Sequence, residues 1–324
     1  MKDRFQREID YLRLSVTDNC NLRCVYCMEE DTCNFLANNK KITDDEIIRI
    51  VTASAKLGIK KIRVTGGEPL IRPNIVDLIG RINNIDGIEE IYMTTNGILL
   101  YDKIEELVKN GLKGVNISLD SLQEERFNKI TRRSGFDKVI KAIDKSIELG
   151  ISVKVNTVIM NDINKDEIMD FVKLTLSKPI DIRFIELMPI GIGQVDKGVS
   201  NEEIISLIKS EFSDLEEIGR AKKGGPANYI KIKGALGKVG FISAISNCFC
   251  ENCNRVRLTS DGFLKQCLHF DYGVNLRDLI RNEDITEEQL ENVIKENIYN
   301  KPEKHLFNEE NSNAEIRLMN QIGG

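Results

Sequence analysis

The sequence predicts an α/β fold on a parallel sheet, and two observations carry that expectation. Over the first 190 residues short β-branched segments alternate with longer helical patterns, and those short segments are polar on one parity. The strand candidates are YLRLSVT (11–17), KIRVTG (61–66), IYMTTN (91–96), GVNISLD (114–120), SVKVNTVI (152–159) and DIRFIEL (181–187). After the first, ITDDEIIRIVTASAKLG offers Thr43 and Glu46 as a capping box, an apolar stripe at helical spacing, and Gly58 as its stop. PNIVDLIGRI, YDKIEELVKN, FDKVIKAIDKSIELG and DEIMDFVKLTL read as further crossover helices. Strand and helix repeated in this way give a parallel sheet, open and doubly wound or curled into a barrel. At 324 residues a large barrel or two domains is expected, divided here into 1–199 and a smaller 200–324. GIGQVDKG (191–198) lacks the lysine-serine ending of a phosphate loop and reads as the linker; TEEQLENVIKENIY (286–299) reads as an amphipathic helix packed on the C-terminal domain.

Parity separates the two sheet arrangements. Strands covered on both faces normally read apolar throughout. Here Leu12, Leu14 and Val16 alternate with Arg13, Ser15 and Thr17, and Ile62 and Val64 with Arg63 and Thr65. Met93 stands between Tyr92 and Thr94; Val115 and Ile117 alternate with Asn116 and Ser118, and Val153 and Val155 with Lys154 and Asn156. The apolar parity packs on helices, and burying the other requires water or a ligand. An open barrel with a polar lumen that holds something is expected; an antiparallel sheet with one wet face is the alternative, disfavoured by the long helical spacers.

With 46 Lys+Arg against 51 Asp+Glu the net charge is −5, so no basic field draws the chain to nucleic acid or an anionic membrane. An anionic ligand has to be met by local cations. MKDRFQREIDYLRL lacks a signal-peptide core, and no apolar run nears the roughly 18 residues of a membrane helix, which places the chain in the cytoplasm. In that reducing compartment eight cysteines point to metal binding or catalysis. Nothing pairs His269 or His305 with a nucleophile, so triad chemistry is not expected.

Six cysteines form two groups. Cys20, Cys24 and Cys27 follow the first strand, at the mouth where βα loops build active sites. Zinc would take a fourth ligand, for which Cys33 is at hand, whereas an iron-sulfur cube held by three thiolates keeps one iron open. Cys250, Cys253 and Cys267 repeat the pattern, with a zinc ribbon completed by Cys248 or His269 as the alternative. Arg255 and Arg257, on one face of an extended segment after Cys253, form a fork suited to phosphate.

The spacing Cys20-x3-Cys24-x2-Cys27 with Tyr26 inside it resembles the signature of the radical S-adenosylmethionine (SAM) superfamily, and TGGEPLIR (65–72) resembles its methionine-recognition motif. The resemblance implies a partial (β/α)6 TIM-like barrel, SAM bound at the open iron, and a smaller C-terminal domain with a second cluster. CNRVRLTSDGFLKQCL (253–268), FIELMPIG (184–191), GPANY (225–229) and MNQIGG (319–324) are similar to motifs of the GTP 3′,8-cyclase family of molybdenum-cofactor biosynthesis, the MoaA family. One departure is that Glu29 and Glu30 follow Met28 where the family more often carries proline, which touches loop shape only. A peptide-modifying maturase would share the barrel and first triplet but is not expected to carry the arginine pair or double glycine.

Carried over by residue, the resemblance assigns Cys20, Cys24 and Cys27 to one [4Fe-4S] cluster and Cys250, Cys253 and Cys267 to another. It assigns Tyr26, Gly67, Glu68, Asn96, Ser118 and Met188 to SAM, and Arg13, Arg63, Thr94, Lys154, Arg255, Val256 and Arg257 to GTP. Arg255, Arg257, Gly323 and Gly324 are implied in catalysis, the two glycines threading toward the site beside arginine. The implied reaction converts GTP to 3′,8-cyclo-7,8-dihydro-GTP: a 5′-deoxyadenosyl radical takes hydrogen from ribose C3′ and the carbon radical attacks guanine C8. Implied partners are an electron donor and a downstream cyclic pyranopterin monophosphate synthase; a homodimer is left open.

Overall fold

In the computed structural model, which describes all residues except 34, 194–196, 221–224, 283–284, 308–314, 316 and 324, strands and helices alternate as their sequence patterns require. Strands β1 (Tyr11–Ser15), β2 (Lys61–Thr65), β3 (Glu90–Thr95), β4 (Leu112–Ser118), β5 (Ser152–Val158) and β6 (Asp181–Ile185) pair in parallel, each with the next. The helices between them are α1 (Asp44–Lys56), α2 (Ile75–Asn83), α3 (Ile104–Lys109), α4 (Glu124–Thr131), α5 (Phe136–Glu148) and α6 (Ile168–Ser177). Thr43 Oγ1 accepts from Glu46 N at 3.2 Å and Glu46 Oε2 from Thr43 N at 2.8 Å, completing the expected capping box. Gly58 ends that helix at φ +95°, a conformation strained for any side chain. Only α4, a short polar helix, has no counterpart among the segments read from sequence.

Beyond β6 the chain continues through α7 (Asn201–Glu211), β7 (Leu215–Arg220), β8 (Asn228–Ile232), β9 (Lys238–Ile242), β10 (Arg255–Leu258), β11 (Phe263–Lys265) and β12 (Gly273–Asn275), then α8 (Leu276–Asn282), α9 (Glu287–Tyr299) and α10 (Met319–Ile322). β9 pairs in parallel with β6 and β10 in parallel with β1, so later residues extend the barrel wall at both edges. Antiparallel β8–β7 and β11–β12 flank them in one 12-stranded sheet. The apolar parity Leu12, Leu14, Ile62, Val64, Val115 and Ile117 is buried in the main hydrophobic cluster, as expected of a helix-covered outer face.

α9 meets the C-terminal part as expected and a barrel helix besides. It lies along α1 of the barrel, with Arg49 2.5 Å from Glu287 and Lys56 2.7 Å from Glu291, while Asn297 donates to Leu264 O of β11 at 3.2 Å. The apolar face Leu290, Ile294 and Ile298 is fully buried, and α1 is the helix beside it. Among the described residues no helix is long and apolar enough to cross a membrane. The linker GIGQVDKG falls partly outside the described residues.

Docking of β9 on β6 depends on a glycine. A Cβ on Gly237 would lie 1.8 Å from Ile180 O, a backbone atom that cannot move aside cheaply. Gly237→Ala should lower stability by about 1–3 kcal/mol, read as a fall in the denaturant midpoint of the full chain under anaerobic conditions.

Candidate active site

Register alone assembles a basic row. Arg13 on β1 is level with Arg257 on β10 and Arg63 on β2; Arg63 is level with Tyr92 on β3. Farther round, Lys154 is level with Asn116 and Asp181, and Asn156 with Arg183. Side chains alternate faces along a strand, so all of these share the face opposite the helices and line a cavity of about 560 Å³.

The row is desolvated. Burial and then Arg257 pull Arg13 well below the usual guanidinium range; burial and Arg255 bring Arg257 to about 10. Burial alone would raise Tyr11, but Arg63, Arg13 and Arg255 outweigh it and bring the phenol to about 8. The Tyr11 hydroxyl accepts from Arg63 Nε. Arg63 Nη1 and Thr94 Oγ1 are buried with no hydrogen-bond partner among the described residues. Such donors suit a ligand rich in anionic oxygen. Lys154 Nζ is 3.0 Å from Asp181, and Asn156 Oδ1 accepts from Arg183 Nε at 2.9 Å and Nη2 at 2.6 Å.

Two thiol sets face this cavity. Cys20, Cys24 and Cys27 ride on the loop after β1, where Cys24 O accepts from Cys27 N at 2.9 Å, and Arg23 N and Val25 N donate to the end of α4 at 2.9 and 3.0 Å. Tyr26 hydroxyl donates to Asp120 Oδ2 at 2.6 Å, while Asp120 Oδ1 accepts from Val158 N at 2.8 Å; burial raises that carboxyl to about 6. Burial also raises Cys20 to about 11 and Cys27 to about 12, so positive charge from a bound metal group is what would hold these sulfurs as thiolates. In the second set, Cys253 N donates to Cys250 O at 3.1 Å in the turn entering β10, and Cys267 follows β11. Burial opposes ionisation of Cys253, yet Lys301 and Arg255 outweigh it and bring the thiol to about 6.

Spacing tests what each set fits. Ligands of one tetrahedral zinc stand roughly 3.5–4 Å apart. Among the described residues the three ligating atoms that all lie within 4.8 Å of one another belong to Cys248, Cys250 and His305. Neither triplet is that compact, and thiolates spread around an iron-sulfur cube need not be. His269, the other zinc candidate, stands 4.6 Å from both Phe270 and Phe307.

Arg13, Tyr26, Arg63, Gly67, Thr94, Asn96, Ser118, Lys154, Met188, Arg255, Arg257 and the six cysteines all line the cavity. Val256 does not: it has the opposite parity and is buried in the core, leaving its backbone to pair with β1. Glu68 is a brace, its oxygens accepting from Leu70 N at 3.0 Å, Thr95 Oγ1 at 2.7 Å and Asn96 N at 2.7 Å. A Cβ on Gly67 would lie 2.4 Å from Asn19 O, so glycine lets this turn meet the cysteine loop. Gly323 O accepts from Arg257 Nη1 at 2.9 Å; Gly324 lies outside the described residues. Sequence reasoning missed Tyr11, Lys61, Asp181, Arg183, Tyr229 and Lys301 on the lining. Strand parity would have found the first four; Lys301 carries no local signal.

The Radical SAM superfamily model matches residues 14–175 and the Molybdenum Cofactor Synthesis C model residues 180–307. A GTP 3′,8-cyclase of Clostridium perfringens (strain 13 / Type A) is 57% identical over 324 residues, covering 100% of both chains. A GTP 3′,8-cyclase of Alkaliphilus oremlandii (strain OhILAs) is 46% identical over 328 residues, again covering 100% of both. Among solved structures, Streptococcus suis SuiB bound to S-adenosylmethionine superimposes with a TM-score of 0.60 at 15% identity, covering 85% of this chain and 66% of that one, which speaks to the fold.

The Tyr26 anchor gives a prediction. Tyr26→Phe leaves a buried Asp120 oxygen without its donor, a loss of about 1–3 kcal/mol, and should make a chelator strip iron faster from the first triplet than from the second. A ratio of the two rates equal to the parent's would contradict the anchoring role.

Proposed function

The chain belongs to the GTP 3′,8-cyclase family of radical SAM enzymes, and from that premise we propose that the basic row inside its barrel is the seat of the GTP triphosphate. The enzyme is a lyase that converts GTP to 3′,8-cyclo-7,8-dihydro-GTP, the first step of molybdenum-cofactor biosynthesis, using SAM and two [4Fe-4S] clusters. When bound, SAM and the first cluster supply the radical that abstracts hydrogen from ribose C3′ before C3′ joins guanine C8.

The observation that carries the seating of GTP is the level alignment of Arg257, Arg13 and Arg63 between the two thiol sets. A triphosphate brings about four negative charges, and guanidinium forks in a water-poor cavity bind it far more strongly than they would at a surface. Lys154 and Arg183 extend the clamp around the wall. Cys20, Cys24 and Cys27 hold the first cluster, with Gly67, Asn96, Ser118 and Met188 positioning SAM and Glu68 holding Asn96 in place. Cys250, Cys253 and Cys267 hold the second, where Arg255, 3.9 Å from Cys253 Sγ, screens thiolate charge. Val256 contributes through its backbone alone.

Arg257 also holds Gly323 O, and the tail is packed without slack: at φ +84° a Cβ on Gly323 would lie 2.6 Å from Thr65 Oγ1 and 2.8 Å from Ser15 Cβ. In this reading the tail sets the guanidinium that meets substrate and keeps water from the reacting carbons. The chain divides near residue 199 into a unit carrying β1–β6 and one that completes the wall with β9 and β10 and supplies the second cluster and the tail. The cytosol suits eight unpaired cysteines, and the reaction calls on an electron donor and on a downstream synthase that takes the product.

The test is anaerobic: iron and sulfide reconstitution, then reductant, SAM and GTP, with 5′-deoxyadenosine and a new species isobaric with GTP expected by mass spectrometry. SAM cleavage with GTP unchanged overturns the assignment of GTP to the lumen. Arg257→Ala should weaken GTP binding by about 10- to 100-fold while changing uncoupled 5′-deoxyadenosine formation much less; early loss of SAM cleavage would move that arginine to the SAM site. Deleting Gly323 and Gly324 should abolish cyclisation with both clusters intact, so a tail-less variant cyclising at the parent rate removes the tail from the mechanism.

A further inference from the structure

Two ligating side chains beside the second thiol set have no part in the reaction above. Cys248 is exposed, and His305, whose imidazole also interacts with the Ala244 backbone, presents a buried Nε2 with no hydrogen bond of normal geometry among the described residues. With Cys250 between them, their ligating atoms lie within 4.8 Å of one another, the compactness that neither cluster triplet has. Thiolate bonds near 2.3 Å and imidazole bonds near 2.0 Å put tetrahedral ligands roughly 3.5–3.8 Å apart. Small side-chain rotations therefore close this set on a single ion. Two sulfurs and an imidazole select a thiophilic divalent cation such as Zn²⁺ or Co²⁺ over Mg²⁺ or Ca²⁺. The backbone supports the arrangement, since the His305 N–H donates to the Cys250 sulfur and keeps the two residues together.

We propose that Cys248, Cys250 and His305 form a mononuclear site for such a cation, alternative to the second cluster because both need Cys250. Binding M²⁺ displaces the protons of two thiols, leaves the fourth position to water, and withdraws Cys250 from Cys253 and Cys267. Two thiolates then remain for a cluster that needs three. The competition rests on the cluster assignment made above; the mononuclear site does not.

The full chain, prepared anaerobically without clusters, is titrated with Co²⁺ alone. One equivalent should bind with thiolate-to-cobalt charge transfer and intense tetrahedral visible bands. Cys248→Ser should weaken that binding by about tenfold or more, and Cys267→Ala should leave it unchanged. Parent-like affinity in Cys248→Ser, or loss of the bands in Cys267→Ala, overturns the site. For the competition, reconstitution with iron and sulfide beside one equivalent of Zn²⁺ should cost the parent the second cluster's share of iron and spare Cys248→Ser. Equal loading of both clusters in parent and variant overturns the competition, whereas a chain that never loads a second cluster, even without zinc, refutes the cluster assignment instead.

Discussion

Desolvated positive charge is the constraint around which the molecule is arranged. Three arginines standing level on adjacent strands repel one another, and a low dielectric strengthens that repulsion. The chain meets it with soft acceptors: the Tyr11 phenol for Arg63, the Asn156 amide oxygen for Arg183, and the Gly323 carbonyl for Arg257. Among the described residues the carboxylates face the lysines of the lining, Asp181 meeting Lys154 and Glu90 meeting Lys61. A carboxylate beside each arginine would satisfy them in closed pairs and leave a triphosphate nothing to gain. Neutral partners keep the row cationic while providing enough hydrogen bonding to bury it.

The two thiol sets are joined through one short segment. Asn320 lends its backbone N–H to the Cys27 sulfur and its side-chain amide to Asp18 O at 2.9 Å, and three residues later Gly323 takes a hydrogen bond from Arg257, which belongs to the strand leaving the second set. Farther back, the buried pair of Lys265 and Glu315 ties the approach of this segment to β11. Both ends of the cavity thus depend on where the tail sits.

Much of this was legible in sequence, and the reason is periodicity. Six strands, five of six crossover helices and the polar lumen follow from period-2 and period-3.6 patterns that tertiary context did not override. The thiol sets were legible because chemistry fixes their spacing. What could not be read depends on contacts between distant segments: β10 joins β1 because residues far apart in the chain happen to complete one wall, and nothing local in RVRL says which strand it will meet. For the same reason only part of the packing of α9 was read: it meets Leu264 and Gln266 of the C-terminal part as expected, and α1 of the barrel besides. Arg183 was missed for a different cause, since parity was applied to five strands and not to DIRFIEL. His305 stayed invisible because a ligand so far from its partner cysteine leaves no motif.

The pairing of β1 with β10 also has a consequence in time. Ribosomes add about 5–20 residues per second, and the first thiol set at residue 20 emerges some 230 residues ahead of the second at residue 250. For roughly 10–50 s a nascent chain therefore holds the first set on a wall whose edge strand has not been made, with Arg13 and Arg63 still lacking their third arginine. Synthesis therefore presents the two thiol sets in a fixed order, and a chain cut short between them carries the first set without the arginine that completes the basic row.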